Sequence, residues 1–95
     1  MDVKPQTTGQ LREILRELAG RKPGNEDELA HLQRGSLLLA LHIQGSSGLG
    51  TNMPDVAWHF LSDADIRYKS PEYGHAQIAE LKSALVLWES EEKLM

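Results

Sequence analysis

Apolar residues recur every three or four positions early in the chain, a spacing typical of a helix that is buried on one side. The first such stripe consists of Leu11, Ile14, Leu15 and Leu18. Thr7 precedes it as a candidate N-cap, and Gly20 follows it as a candidate helix stop. The pattern therefore predicts a first helix over residues 8–19.

A second helix is predicted over residues 26–44, with Asn25 as its N-cap. Its apolar stripe consists of Leu29, Leu32, Ser36, Leu39, Ala40 and Ile43. Three further leucines fall outside that stripe, namely Leu37, Leu38 and Leu41. The stretch 37–43 is therefore apolar on nearly all sides, which indicates either the central helix of a bundle or an interface between chains. Gly35 lowers the stability of this helix, and a close helix crossing would explain the small residue.

Two more helices are predicted after a flexible, glycine- and serine-rich loop over residues 45–52. The third spans residues 54–69, unless it breaks near Ser62, which can cap a separate short helix. A Ser-Pro-Glu start signal predicts the fourth helix over residues 71–92. Both descriptions of the third helix stay open at this point.

The resulting fold class is all-α, a small four-helix and mostly antiparallel bundle with the second helix at its centre. No run of alternating β-branched residues predicts a strand. A length of 95 residues fits a single domain over residues 1–95. Such a domain buries only a modest core. Apolar residues that form an interaction surface are therefore not available to that core.

Composition excludes several kinds of chemistry. The chain contains no cysteine, which excludes disulfides, thiolate nucleophiles and cysteine-ligated zinc. No catalytic signature or cofactor-binding motif is present, so we expect no enzyme, no catalytic residues and no cofactor. The N-terminus has no apolar run, and no stretch approaches the roughly 18 apolar residues that cross a bilayer. We therefore expect a cytoplasmic protein with no membrane partner.

The formal charge of −4 is unevenly distributed along the chain. Residues 1–48 carry six basic and six acidic side chains, whereas residues 49–95 carry four basic and eight acidic ones. This balance disfavours phosphate-backbone binding, which depends on clustered lysine and arginine, so a helical nucleic-acid-binding regulator is an alternative of low rank. An acidic surface instead faces water or a basic partner.

The sharpest polar pattern is a series of residues spaced by four, Asp55, His59, Asp63 and Arg67. On one continuous helix these side chains form a column, in which a histidine flanked by carboxylates can bind a divalent metal or act as a tuned base. A surface ladder of charge pairs is the preferred interpretation. A metal or acid–base site centred on His59, with Asp55 and Asp63, is the alternative. A helix break at Ser62 would dissolve the column.

Several apolar side chains exceed what one small core needs, and exposed apolar patches mark interfaces. The candidate interface residues are Leu37, Leu38, Leu41, His42, Val86, Leu87 and Trp58. They predict a non-enzymatic module that binds another protein, with a homodimer as the expected state. An acidic inhibitor or immunity-type partner protein is one concrete version.

Overall fold

A computed structural model describes residues 4–46 and 48–94 of the chain. The described residues form five helices and no strand: α1 (Thr8–Ala19), α2 (Glu26–Gly45), α3 (Asp55–Ser62), α4 (Ala64–Lys69) and α5 (Pro71–Leu94). The predicted all-α fold is confirmed, and the four-helix description holds if α3 and α4 count as one broken helix. The predicted loop over 45–52 includes residue 47, which lies outside the described residues.

The helix starts follow from local capping, as the sequence predicted. The Thr7 hydroxyl accepts a hydrogen bond from the backbone N–H of Gln10 at 3.1 Å. The Asn25 side-chain oxygen accepts one from the backbone N–H of Glu28 at 2.9 Å. Each cap satisfies a donor that the first turn of a helix leaves without a partner.

The third helix breaks at Asp63, which confirms the broken alternative but changes its cause. The Ser62 hydroxyl donates to the carbonyl of Trp58 at 3.1 Å, so it does not cap α4. Asp63 instead leaves helical geometry, and its carboxylate accepts hydrogen bonds from Tyr73 and Gln77 on α5. A contact with a distant helix therefore accompanies the break.

Buried apolar side chains from every helix except α4 join those of the loop after α2 in one core. Its members are Leu11, Leu15, Ala19, Leu39, Ile43, Leu49, Met53, Ala57, Phe60, Leu61, Leu81, Leu85 and Trp88. Burying a side chain of this size contributes about 1.5–3 kcal/mol relative to leaving it exposed. Trp88 and Phe60 are the largest fully buried side chains.

The prediction that the second helix is central is wrong, because α5 holds that position. α5 packs against α1, α3 and α4, whereas α2 packs mainly against α3 and α4. α2 buries Leu29, Ser36, Leu39 and Ile43 and leaves its opposite side to solvent. One side of the apolar stretch of α2 therefore packs in the core, and the other side is exposed to solvent.

Two glycines of this region differ in what surrounds them. A Cβ on Gly50 would lie 2.6 Å from Cγ2 of Ile43, so the loop packs too closely for any side chain. No atom of the described residues outside the adjoining part of α2 lies within 4 Å of a Cβ on Gly35, so the structure shows no close helix crossing there. Gly35 therefore costs helix stability, about 1 kcal/mol relative to alanine, without serving a contact within the chain.

None of the described helices combines the length and the apolar character that a membrane span requires.

Candidate interaction surface on the first and second helices

Three leucines project from the side of α2 that faces away from the core. Leu37 is 60% exposed, Leu38 is 60% exposed and Leu41 is 54% exposed. They lie on adjacent turns, since residues three or four apart share one side of a helix. We call this surface, Leu37, Leu38 and Leu41, the leucine face. The sequence prediction that these residues are surplus to the core agrees with their exposure.

The residues of α2 next to the leucine face carry little charge. The exposed residues that flank it along α2 are Ala30, Gln33, Arg34, Gln44 and Gly45. Arg34 is the single charged side chain among them. On a chain with a net charge of −4, this is an unusually neutral strip.

A groove of about 770 Å³ runs between α1 and α2, beside the leucine face. Its apolar lining consists of Ile14 and Leu18 from α1 and Leu32, Leu38 and Leu39 from α2. Gly35 also lies on the α2 wall, and Leu38 belongs both to the groove and to the leucine face. The groove and the leucine face therefore form one continuous surface.

Beside the groove, α1 is held against α5 by polar contacts. Arg12 lies 5.1 Å above the Trp88 ring and forms an ion pair with Glu92. Arg16 lies 3.5 Å from a carboxylate oxygen of Glu89. These contacts come from the last turns of α5.

Cations outnumber carboxylates around the groove. Lys4, Arg21 and Lys22 line it together with Glu17 and Glu28. Both carboxylates have partners within the chain. Glu17 pairs with Arg21 at 2.9 Å, and Glu28 accepts a hydrogen bond from the backbone N–H of Gly24 at 3.1 Å.

His42 closes one end of the groove, as a half-buried residue rather than an open part of the leucine face. Its Nε2 lies 2.9 Å from the carbonyl oxygen of Pro5, where a ring N–H can donate. This contact holds the buried Pro5 against the C-terminal half of α2. The described position gives His42 a role in placing the N-terminal segment.

The remaining predicted interface residues do not join this surface. Trp58 is half-buried against the core, and its ring would lie 3.2 Å from a Cβ on Gly50, so it lies apart from the leucine face. Val86 and Leu87 are 59% and 63% exposed, but they lie on α5 and do not line the groove. The structure therefore separates the predicted set into α2 and α5 portions.

The predicted column around His59 is not continuous in the structure. The helix break places Asp55 and His59 on α3 and Arg67 on α4, with Asp63 between the two helices. The Asp63 carboxylate accepts from the hydroxyl of Tyr73 at 2.8 Å and from Nε2 of Gln77 at 2.9 Å. Two members of the column thus serve the contact between α4 and α5.

Arg67 completes that contact. Its guanidinium lies 4.0 Å above the Phe60 ring and donates to the Phe60 carbonyl and to Oε1 of Gln77. Burial lowers the pKa of Arg67, and the hydrogen bond to the Asp63 carboxylate raises the pKa of Tyr73. Within residues 4–46 and 48–94, no group of three or more histidine or carboxylate side chains is placed to hold a metal ion.

Sequence reasoning missed the α1 contribution to the surface. The spacing predicts Ile14 and Leu18 in the apolar stripe of the first helix, but both are only half-buried and line the groove. The sequence carries no signal for this contribution, because the exposure of Ile14 and Leu18 depends on how α1 and α2 are spaced in the fold.

Comparisons with protein families, with curated proteins and with solved structures find no match to this chain.

Proposed function

We propose that this chain is a non-enzymatic helical interaction module that self-associates through the leucine face of α2. The observation that carries the proposal is the exposure of Leu37, Leu38 and Leu41 on adjacent turns, each by more than half. Apolar patches of this kind on a small domain mark interaction sites. Leaving the leucines exposed forgoes burial free energy that association would recover.

Charge favours a second copy of this chain as the occupant of the leucine face. Two chains of net charge −4 repel each other, and repulsion is weakest where the contact surface is neutral. The leucine face and its flanks carry only Arg34, so they meet that condition. A two-fold axis through this face would place leucines against leucines, as a self-complementary contact requires.

Area sets a further requirement on the dimer. A stable interface of standard size buries about 800 Å² on each partner, which three leucines alone do not provide. After its acidic first turn, the part of α2 from Ala30 to Gly45 is about 24 Å long at 1.5 Å per residue. We therefore expect its neutral flanks, including Ala30, Gln33 and Gln44, to be buried together with the leucines.

The test is the molar mass of a double variant, L37E/L41E, measured by light scattering on a sizing column. Both positions are exposed, so the variant is expected to keep its helical content by circular dichroism and to elute as a monomer. The matched control is V86E/L87E on α5, which adds the same charge at equally exposed positions and is expected to stay dimeric. A dimeric L37E/L41E variant, or loss of the dimer only in the α5 control, would contradict the proposal.

A further inference from the structure

We infer that the groove between α1 and α2 binds an acidic amphipathic helix of another protein. This inference concerns a second partner and goes beyond self-association through the leucine face. It rests on the shape of the groove, the position of Gly35 and the charge of the lining residues.

The groove has the dimensions of a helix-binding site. Its α2 wall extends from Glu28 to His42, about 21 Å at 1.5 Å per residue, which matches four turns of an incoming helix. Its walls carry leucine and isoleucine side chains from two helices. An amphipathic helix places anchors at positions i, i+3, i+4 and i+7 into a groove of this kind.

Gly35 lies on the wall where the incoming helix would lie. Nothing in the described chain comes within 4 Å of the Cβ position at residue 35. The absent side chain therefore leaves space that no intramolecular contact uses. A helix seated in the groove can approach α2 more closely at Gly35 than at any residue with a side chain.

The charges of the residues that line the groove indicate the chemistry of the partner. Among the lining residues, Arg21 is paired with Glu17, which leaves Lys4 and Lys22 against a single carboxylate, Glu28, whose side chain accepts the backbone N–H of Gly24. Lys4 and Lys22 form no ion pair within residues 4–46 and 48–94. The groove is therefore a locally basic site on an acidic chain, and glutamate or aspartate residues beside the apolar anchors would complement it.

The probe is a fluorescent synthetic helix of four turns, with leucine anchors at the spacing given above and glutamate on both flanks. Its matched twin carries lysine in place of every glutamate. Fluorescence polarisation with the full chain is expected to show at least tenfold tighter binding of the acidic peptide, with an affinity that falls as salt rises. Equal affinity of the two peptides, or no binding at about 1 mM, would overturn the inference.

Two variants locate the binding site on the chain. A Cβ at position 35 has open space around it, so Gly35→Leu is expected to place its side chain on the groove wall, to weaken acidic-peptide binding at least tenfold and to raise the Tm. Lys22→Glu is expected to weaken binding of the acidic peptide and to strengthen binding of the lysine twin. The control is Lys82→Glu, an exposed site on α5 with the same charge change, for which no effect is expected.

The same variants separate this inference from the proposed dimer. Gly35→Leu and Lys22→Glu are expected to remain dimeric, whereas L37E/L41E is expected to be monomeric and still to bind the acidic peptide. If Lys22→Glu abolished self-association and left peptide binding unchanged, the groove would hold a second copy of the chain, and the inference would be wrong.

Discussion

Gly50 lies where the loop after α2 passes over Ile43 and Trp58, with no room for a side chain. Gly50→Ala is expected to lower the free energy of unfolding by about 1–3 kcal/mol, because the new methyl group forces the core apart. Urea denaturation monitored by circular dichroism measures the change. Gly35→Ala is the control and should raise stability by up to about 1 kcal/mol. Equal effects at the two glycines would contradict the packing described for the loop.

Glu92 gives the chain a specific dependence on pH. Hydrogen bonds from Thr8 and from Arg12 lower the pKa of its carboxyl below the ordinary value. The charged form is thus favoured by folding, so this contribution is present at neutral pH and is lost as the pH falls through the lowered pKa. Glu92 is partly exposed, which keeps the contribution small.

The free energy of unfolding of Glu92→Gln is expected to depend less on pH. Between neutral and acidic pH, the variant should lose less stability than the wild type. Urea melts of the variant and the wild type at several pH values measure this loss. Glu91→Gln, an exposed change on the same turn, is the control and should follow the wild type more closely. Identical pH dependence of Glu92→Gln and the wild type would show that the contact with α1 does not form in solution.

At the scale of single helices, local signals predicted most of the boundaries. The Thr7 and Asn25 caps lie next to the turns that they stabilise, so the starts of α1 and α2 are encoded within a few residues. The break at Asp63 is different, because it involves Tyr73 and Gln77, which lie ten and fourteen residues further along the chain. Periodicity along one helix carries no information about such a contact.

Gln77 is the residue on which the contact between α4 and α5 depends most. It is 6% exposed, accepts from Arg67 at 2.7 Å and donates to Asp63 at 2.9 Å. Its Nε2 also donates to the Tyr73 hydroxyl at 3.2 Å, so Gln77→Ala removes three hydrogen bonds and leaves a partly buried guanidinium without that partner, and it is expected to cost about 1–3 kcal/mol. Thermal or urea unfolding measures the loss.

Tyr73→Phe is the matched change for the same contact. It removes two hydrogen bonds from a more exposed side chain, the one donated to Asp63 and the one accepted from Gln77, and is expected to cost about 0.5–1.5 kcal/mol. A Tyr73→Phe cost equal to or larger than that of Gln77→Ala would place the centre of the network at Tyr73 instead.

At the scale of the whole molecule, the sequence predicts the all-α class and predicts more apolar residues than one core needs. It does not predict which of these residues are buried and which are exposed. Trp88 and Leu37 are both apolar residues in predicted helices, yet Trp88 is 2% exposed and Leu37 is 60% exposed. The difference depends on which helix becomes central, and tertiary packing gives that position to α5 rather than α2. The groove likewise depends on α1 docking against α5, through Arg12 and Glu92, two residues 80 positions apart.

Self-association through the leucine face is the central claim, and the molar mass of the unmodified chain tests it most directly. Light scattering on a sizing column, across a dilution series in the micromolar range, is expected to give twice the 10.6 kDa of one chain and to approach the monomer value on dilution. A molar mass of one chain at every concentration would contradict the account.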